Sequence, residues 1–188
     1  MEEHRPSPDS ELLERVRGGD PAALQSLLDT HWARLVRYAR RLLPEPEDAQ
    51  DVVQDAFVRL WARRTRWKVE GSVRSLLFTI TRNAALDEMR RRARRGRAAQ
   101  AFRGPAPPAL PSEEAAASEL ERAAAAAVAA LPPRRQEVFR LVREAGLSYG
   151  EIAEVMDVSP QTVANQMSLA LADLRRALRP HLPEGASR

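Results

Sequence analysis

Residues 74–95, RSLLFTITRNAALDEMRRRARR, can satisfy their side chains only as a helix that starts inside a core and ends outside it. Val73, Leu76, Leu77, Ile80 and Ala84 recur at three- and four-residue spacing, and Phe78, Ala85 and Met89 add apolar surface on other sides. The first three turns are therefore expected to be nearly enclosed by protein. The last turns cannot be, because Arg90, Arg91, Arg92, Arg94, Arg95 and Arg97 crowd into eight positions. At about 100° per residue, Thr79, Asn83, Asp87, Arg90 and Arg94 fall on one line, a polar stripe that leaves the buried part and runs into the charge. Dipole complementarity, with Asp87 paired to Arg90 and Arg91, accounts for one or two cations of a solvated helix end. Six repel one another, and the surface fits a polyanion better.

Charge elsewhere sharpens that reading. The chain of 188 residues carries a net +4, but residues 73–104 alone carry +7, residues 1–66 carry −1, residues 105–130 carry −3 and residues 131–188 carry +1. The positive field is local. Lys68 is the one lysine, every other basic residue being arginine, the better bidentate partner for phosphate and base edges. The absence of cysteine excludes a disulfide framework and thiolate metal sites. MEEHRPSPDS lacks a signal-peptide pattern, and the longest apolar run, Ala123–Leu131, is too short to span a bilayer, so a soluble intracellular protein is expected.

The punctuation predicts an all-α chain of two small helical domains joined by a proline-rich linker. Residues 1–8, with Pro6 and Pro8, are expected to be disordered. A short helix capped by Asp9 or Ser10 runs to Val16 and stops at Gly18 and Gly19; Asp20-Pro21 then caps a long helix to about Leu43. His31 lies on its apolar face and reads as packing. The helix over Glu47–Trp61 buries Ala49, Val52, Val53, Ala56 and Leu60, and sets Asp48, Asp51 and Asp55 opposite, with Gln50, Gln54 and Trp61 between. The acidic stripe is either a solvated face or a protein-binding edge. Trp67-Lys68, in the loop before the basic helix, is either a base-stacking ledge or a lid on the core.

Residues 9–95 thus form the first domain and 96–112, with Pro105, Pro107, Pro108 and Pro111, the linker. Residues 113–180 form the second domain and 181–188 a tail. Within it an alanine-rich helix to Ala130 ends at Pro132 and Pro133, and Val138, Phe139, Leu141 and Val142 are core positions of the next. Ser148 with Glu151 is a capping box, Asp157 sits at a sharp turn, and Ser159 caps a helix with Pro160 at its first position. Two helices joined this tightly form a helix-turn-helix, for which a plain helical hairpin is the alternative. Val163, Met167, Ala170, Leu171 and Leu174 point inward; Gln161, Asn165, Ser168 and Ala172 face out, flanked by Ala164, Leu169, Arg175 and Arg176. Gln and Asn each suit bidentate reading of adenine in the major groove. A domain of net +1 neutralises few phosphates, so it should bind DNA weakly unless tethered.

The order EDAQDVVQDAFVRLW, RSLLFTITRNAALDEMRRRARR, proline-rich linker, LPPRRQEVFRL and helix-turn-helix resembles the extracytoplasmic-function sigma factors of bacterial RNA polymerase over residues 9–178. The resemblance implies a sigma factor that directs promoter-specific initiation, with no catalysis and no cofactor. It places Asp48, Asp51, Gln54, Asp55 and Trp61 on the clamp helices of the polymerase beta-prime subunit. Trp67, Lys68, Asn83 and Asp87 would lie at a base flipped from the minus-ten strand, and Arg90, Arg91, Arg94 and Arg95 on the adjoining backbone. Ser159, Gln161, Thr162, Ala164, Asn165, Ser168, Arg175 and Arg176 would meet the minus-thirty-five duplex, with the same domain near the beta flap. An anti-sigma factor is implied as a further partner, able to hold a cytoplasmic protein at the inner membrane face. The recognition helix departs from the family in carrying Ala164, Asn165, Gln166 and Leu169 where basic residues are usual, and Asp157 where glycine is usual. The usual minus-thirty-five motif is therefore not carried over.

Two other functions compete. A self-contained operator-binding regulator would use the helix-turn-helix as a dimer, and leaves the basic domain and acidic helix unused. A recombinase or nuclease would need a placed nucleophile, a carboxylate cluster or a phosphate-cradling glycine loop, none of which the sequence supplies.

Overall fold

The computed structural model describes residues 7–67, 72–100 and 119–181, with side chains in the basic helix described through residue 95. The described residues form eight α-helices and two short 3-10 turns, with no strand among them. In chain order the helices are α1 (Pro8–Arg17), α2 (Pro21–Leu42), α3 (Ala49–Ala62), α4 (Val73–Gln100), α5 (Glu119–Ala129), α6 (Pro133–Arg143), α7 (Tyr149–Met156) and α8 (Pro160–Leu178).

Local chemistry sets the boundaries. Pro8 does not exclude helix; it occupies the first turn of α1, where no backbone N–H is needed, and Ser7 rather than Asp9 is the cap. Asp9 is thereby free to reach α2, where its carboxylate lies 3.0 Å from the buried His31 ring. Asp20 caps α2 through the Ala22 and Ala23 N–H groups. The stretch Pro46–Asp48 is a 3-10 turn, and α3 begins only at Ala49. The linker and both chain ends lie outside the described residues, as do the expected helix start at Ser112 and its first turns.

The first domain packs α1 to α4 around Leu13, Leu27, Leu35, Val53, Leu60 and Phe78, all at most 1% exposed. Full burial of such a side chain is worth roughly 1.5–3 kcal/mol. The helix α4 does begin enclosed, with Val73, Leu77, Phe78, Ile80, Ala84 and Ala85 buried and Leu76 half-buried. In the second domain α6, α7 and α8 enclose Val138, Leu141, Ile152 and Val163. These two sets are one continuous buried cluster. A smaller cluster of Ala127, Leu131, Ala170 and Leu174 seats α5 on α8. The domains, expected to hold separate cores, are docked on one another, with α7 lying across the start of α4.

Candidate nucleic-acid and partner interfaces

The α3 face follows from its spacing. Six apolar residues, Phe57 added to the five expected, turn inward. That leaves Asp51, Gln54, Asp55 and Val58 exposed on the outside, Val58 at 59%. Val58 was not expected as a surface residue, and an exposed aliphatic side chain at the C-terminal end of an acidic strip is a feature of contact surfaces. Asp48 is half-buried and is held by Arg92 of α4, so it belongs to the packing of α3 on α4 more than to the outer face. Trp61 is half-buried, with the Arg64 guanidinium 4.8 Å from its ring centroid.

The polar stripe of α4 is present. Asn83, Asp87, Arg90 and Arg94 are exposed, and Thr79 is half-buried. The arginines are less free than their density suggests. Glu88, only 8% exposed, accepts hydrogen bonds from Arg91, Arg92 and Arg95. Burial raises the Glu88 carboxyl, but the bonds from Arg92 and Arg91 outweigh it and hold the group below its ordinary value. Arg92 also reaches Glu45 and Asp48. Asp87 accepts from Arg59 of α3 at 2.9 Å and from Arg90 at 3.3 Å, and the Arg59 bond chiefly lowers its carboxyl. Arg94 has no carboxylate partner among the described residues.

Trp67 is a lid on the core rather than a free ledge. Its ring packs against the buried cluster and its Nε1 donates to the Leu60 carbonyl at 3.1 Å. Lys68 lies outside the described residues.

The start of α4, next to that loop, is covered by the second domain. The Ser72 hydroxyl donates to Glu151 at 2.6 Å, and the buried Ser75 hydroxyl to Glu154. Arg74 donates to the Gly146 carbonyl at 2.6 Å. Farther along, Glu137 of α6 accepts from the Tyr38 hydroxyl and from Arg82 Nε, both at 2.8 Å. Tyr38 is 5% exposed and tilts against Phe78 at 5.2 Å between ring centroids. Burial first, then the Glu137 charge, pushes its phenol well above the ordinary value. None of Ser72, Ser75, Arg82, Glu137 or Glu154 was singled out from sequence, because each finds its partner in the other domain.

The helix-turn-helix is built as its caps require. Ser148 and Glu151 form a reciprocal capping box, and Ser159 accepts from the Thr162 N–H. Asp157 adopts the left-handed conformation at φ 53°, which Asp tolerates better than most residues. On α8, Val163, Met167, Ala170 and Leu174 are buried; Gln161, Asn165, Ser168, Ala172, Arg175 and Arg176 are exposed, and Thr162 and Ala164 half-exposed. Gln161 Nε2 donates to Asn165 Oδ1 at 3.1 Å, aligning the two amides one turn apart on the outer face. Leu169 is 44% exposed beside them.

Residues 27–95 match the family described as Sigma-70 region 2, and residues 121–174 the family described as Sigma-70, region 4. The ECF RNA polymerase sigma factor SigM of Mycobacterium tuberculosis is 30% identical over 177 residues, covering 90% of this chain and 84% of its own. The RNA polymerase sigma-H factor of Pseudomonas aeruginosa is 28% identical over 186 residues, 94% of this chain and 96% of its own. Among solved structures, CnrH in complex with the cytosolic domain of CnrY superposes with a TM-score of 0.66 at 27% identity, over 93% of this chain and 99% of that one. The sigma factor RpoE of Bartonella quintana, in complex with the anti-sigma factor NepR, shares the fold at a TM-score of 0.64 and 22% identity, over 87% of this chain and 98% of that one. The chain belongs to the extracytoplasmic-function sigma factors of the sigma-70 family. Its function is that of an RNA polymerase sigma factor. Among the described residues no helix is long and apolar enough to cross a membrane.

Proposed function

We propose that this sigma factor, without catalytic chemistry of its own, docks on the beta-prime clamp helices of bacterial core polymerase through the outer face of α3. The observation that carries the reading is one face that combines exposed Asp51, Gln54 and Asp55 with exposed Val58. Carboxylates steer a basic partner and the apolar side chain one turn further on supplies the buried contact. Trp61 lies at its edge, and Asp48 acts through Arg92 rather than by direct contact.

The melted minus-ten strand is read at the loop before α4, with Asn83 near the extruded base. Arg94 takes backbone phosphate at once. Arg90, Arg91 and Arg95 do so by exchanging Asp87 and Glu88 for phosphate. The duplex minus-thirty-five element meets α8: Ser159 and Thr162 at its N-terminus favour a phosphate, Gln161 and Asn165 read adenine, and Arg175 and Arg176 reach the backbone farther on. The α5–α8 domain sits near the beta flap. CnrH, solved in complex with the cytosolic domain of CnrY, and RpoE, solved with the anti-sigma factor NepR, support a protein partner of the anti-sigma kind here too, and a cytoplasmic protein accords with that.

Reading both elements requires the domains to part. The elements lie about 25 base pairs apart, roughly 85 Å of duplex axis, whereas a compact chain of this length has a radius of gyration of about 16 Å. The docked arrangement, in which Glu151 and Glu154 occupy Ser72 and Ser75, is therefore a resting form, and polymerase binding opens it. Competition for core polymerase against a housekeeping sigma factor tests the docking face. Asp55→Arg and Val58→Asp should each weaken binding about tenfold, an interface hot spot being worth more than 1 kcal/mol, with circular dichroism unchanged. Undiminished competition by both variants would remove the face from this role.

A further inference from the structure

The arginines of α2 differ from those of α4 in having almost nothing to neutralise them. Arg34, Arg37 and Arg41 stand at i, i+3 and i+7, on one exposed face beside the inward-turned Tyr38. Across the seam between the domains, α6 brings Arg140 onto the same face, and these four arginines border one small recess together with Tyr38, Glu144 and Ala145. Arg140 Nη1 donates to the Arg41 carbonyl at 3.3 Å, but its Nε is buried and has no acceptor. Glu144 is the single carboxylate of the recess, 3.9 Å from Arg41 Nε. Among the described residues no carboxylate lies within ion-pair distance of Arg34 or Arg37. Burial, and then the Arg41 charge, lower the Arg140 guanidinium from its ordinary value, with Glu144 only partly opposing them.

Four cations against one anion, one of them with a buried donor left open, are an unfavourable arrangement in the absence of a further anion. The α4 arginines show the contrast: there Glu88, Asp87, Asp48 and Glu45 meet the charge. The exposed guanidinium forks of Arg34, Arg37 and Arg41 suit the oxygens of phosphate, which accepts two parallel bonds from one arginine, while Arg140 adds its charge from the seam.

We propose that the recess formed by Arg34, Arg37 and Arg41 of α2 and Arg140 of α6 is a binding site for a phosphate-bearing anion. Because the two domains supply it jointly, it is complete only while they are docked. A ligand of that kind binds the docked form and shifts the population toward it by its own binding free energy. The phosphate can come from a free polyphosphate or from a nucleic-acid backbone, and the shared chemistry is the oxyanion held between α2 and α6.

The test uses the full chain at low salt with inorganic tripolyphosphate as probe, titrated calorimetrically, and a short duplex DNA of arbitrary sequence in a parallel arm. Arg140→Gln, and the pair Arg34→Gln with Arg37→Gln, should each weaken the probe by about tenfold or more, the scale of losing charge-assisted hydrogen bonds. Arg15→Gln with Arg17→Gln, on the exposed side of α1 and away from the recess, should leave it unchanged. Tighter binding of tripolyphosphate than of duplex, per phosphate, identifies a free ligand; the reverse, with the same dependence on Arg140, identifies a backbone. The chain has no cysteine, so dyes can be placed at Ala22→Cys and Ala172→Cys. Their energy transfer should be lost at a higher urea concentration when tripolyphosphate is present in the parent chain, and at an unchanged concentration with Arg140→Gln; equal midpoints with and without the probe in the parent chain would count against the site. Full binding by the α2 and Arg140 variants, loss with the α1 pair instead, or loss with Arg34 and Arg37 but not Arg140 would each overturn a site shared between the domains.

Discussion

The Ser72 hydroxyl donates to the Glu151 carboxylate at 2.6 Å across 79 residues of chain. The first is at the mouth of the element expected to seize a base, and the second caps the helix-turn-helix. One domain's cap is thus the other domain's cover. Burial raises the Glu151 carboxyl, but the Ser72 and Ser148 bonds outweigh it and hold the group below its ordinary value.

Glu154 makes the neighbouring bond to Ser75 without serving as a cap, so it separates covering from folding. Glu154→Ala should raise affinity for a single-stranded minus-ten oligonucleotide about fivefold, since one hydrogen bond to a charged group is worth on the order of 1–2 kcal/mol. Fluorescence anisotropy of the isolated chain measures this. An unchanged affinity would mean that α7 does not obstruct the site.

Glu137 is the acceptor for two groups, Tyr38 and Arg82, both in the other domain. Glu137→Ala leaves a buried hydroxyl and a largely buried guanidinium unpartnered, which should cost about 3 kcal/mol. The urea midpoint should fall accordingly, and Glu137→Gln should recover part of the loss. A midpoint equal to that of the parent chain would show the seam to be open in solution.

Acid should loosen the molecule in a defined order. Asp87, Glu88 and Glu151 are all held below their ordinary values, 3.8 for Asp and 4.5 for Glu. A depressed carboxyl contributes stability that is fully present above its unfolded value and is lost as pH falls through the folded one. Denaturant midpoints should therefore be flat from neutrality to about pH 5 and fall below the ordinary carboxylate values, with a shallower fall for Glu88→Gln. A midpoint that instead falls between pH 7 and 5 would point to groups other than these.

Asn165 and Gln161 share one face and one hydrogen bond. In holoenzyme, Asn165→Ala should relax preference at one or two adjacent upstream base pairs, each good bidentate contact being worth on the order of 1–3 kcal/mol of discrimination. Selection from a randomised upstream element reads the change. Identical preferences for parent and variant would remove Asn165 from base reading.

Local rules carried most of the fold. Asp20, Ser148, Ser159 and Asp157 could be placed because a cap or a left-handed turn is decided within four residues. The inward faces of α3 and α8 followed from helical spacing, and the family order placed both domains. Pro8 misled because a proline that breaks a helix interior is welcome in its first turn. The Glu88 hub was legible in hindsight, as its arginines stand at three, four and seven residues. The seam was not: Glu137, Glu154 and Arg140 look like ordinary surface charges until the other domain is present. Trp67 stayed ambiguous for a different reason: its partner, within its own domain, is a backbone carbonyl that no side-chain pattern marks.

The most direct test of the account is transcription in vitro from a promoter library, with bacterial core RNA polymerase in the presence and absence of this protein. New start sites that need the protein and share two short elements, the upstream one reading adenine where Gln161 and Asn165 fall, are the predicted result. Absence of new starts, with a core enzyme that binds the protein and responds to a housekeeping sigma factor, would contradict it.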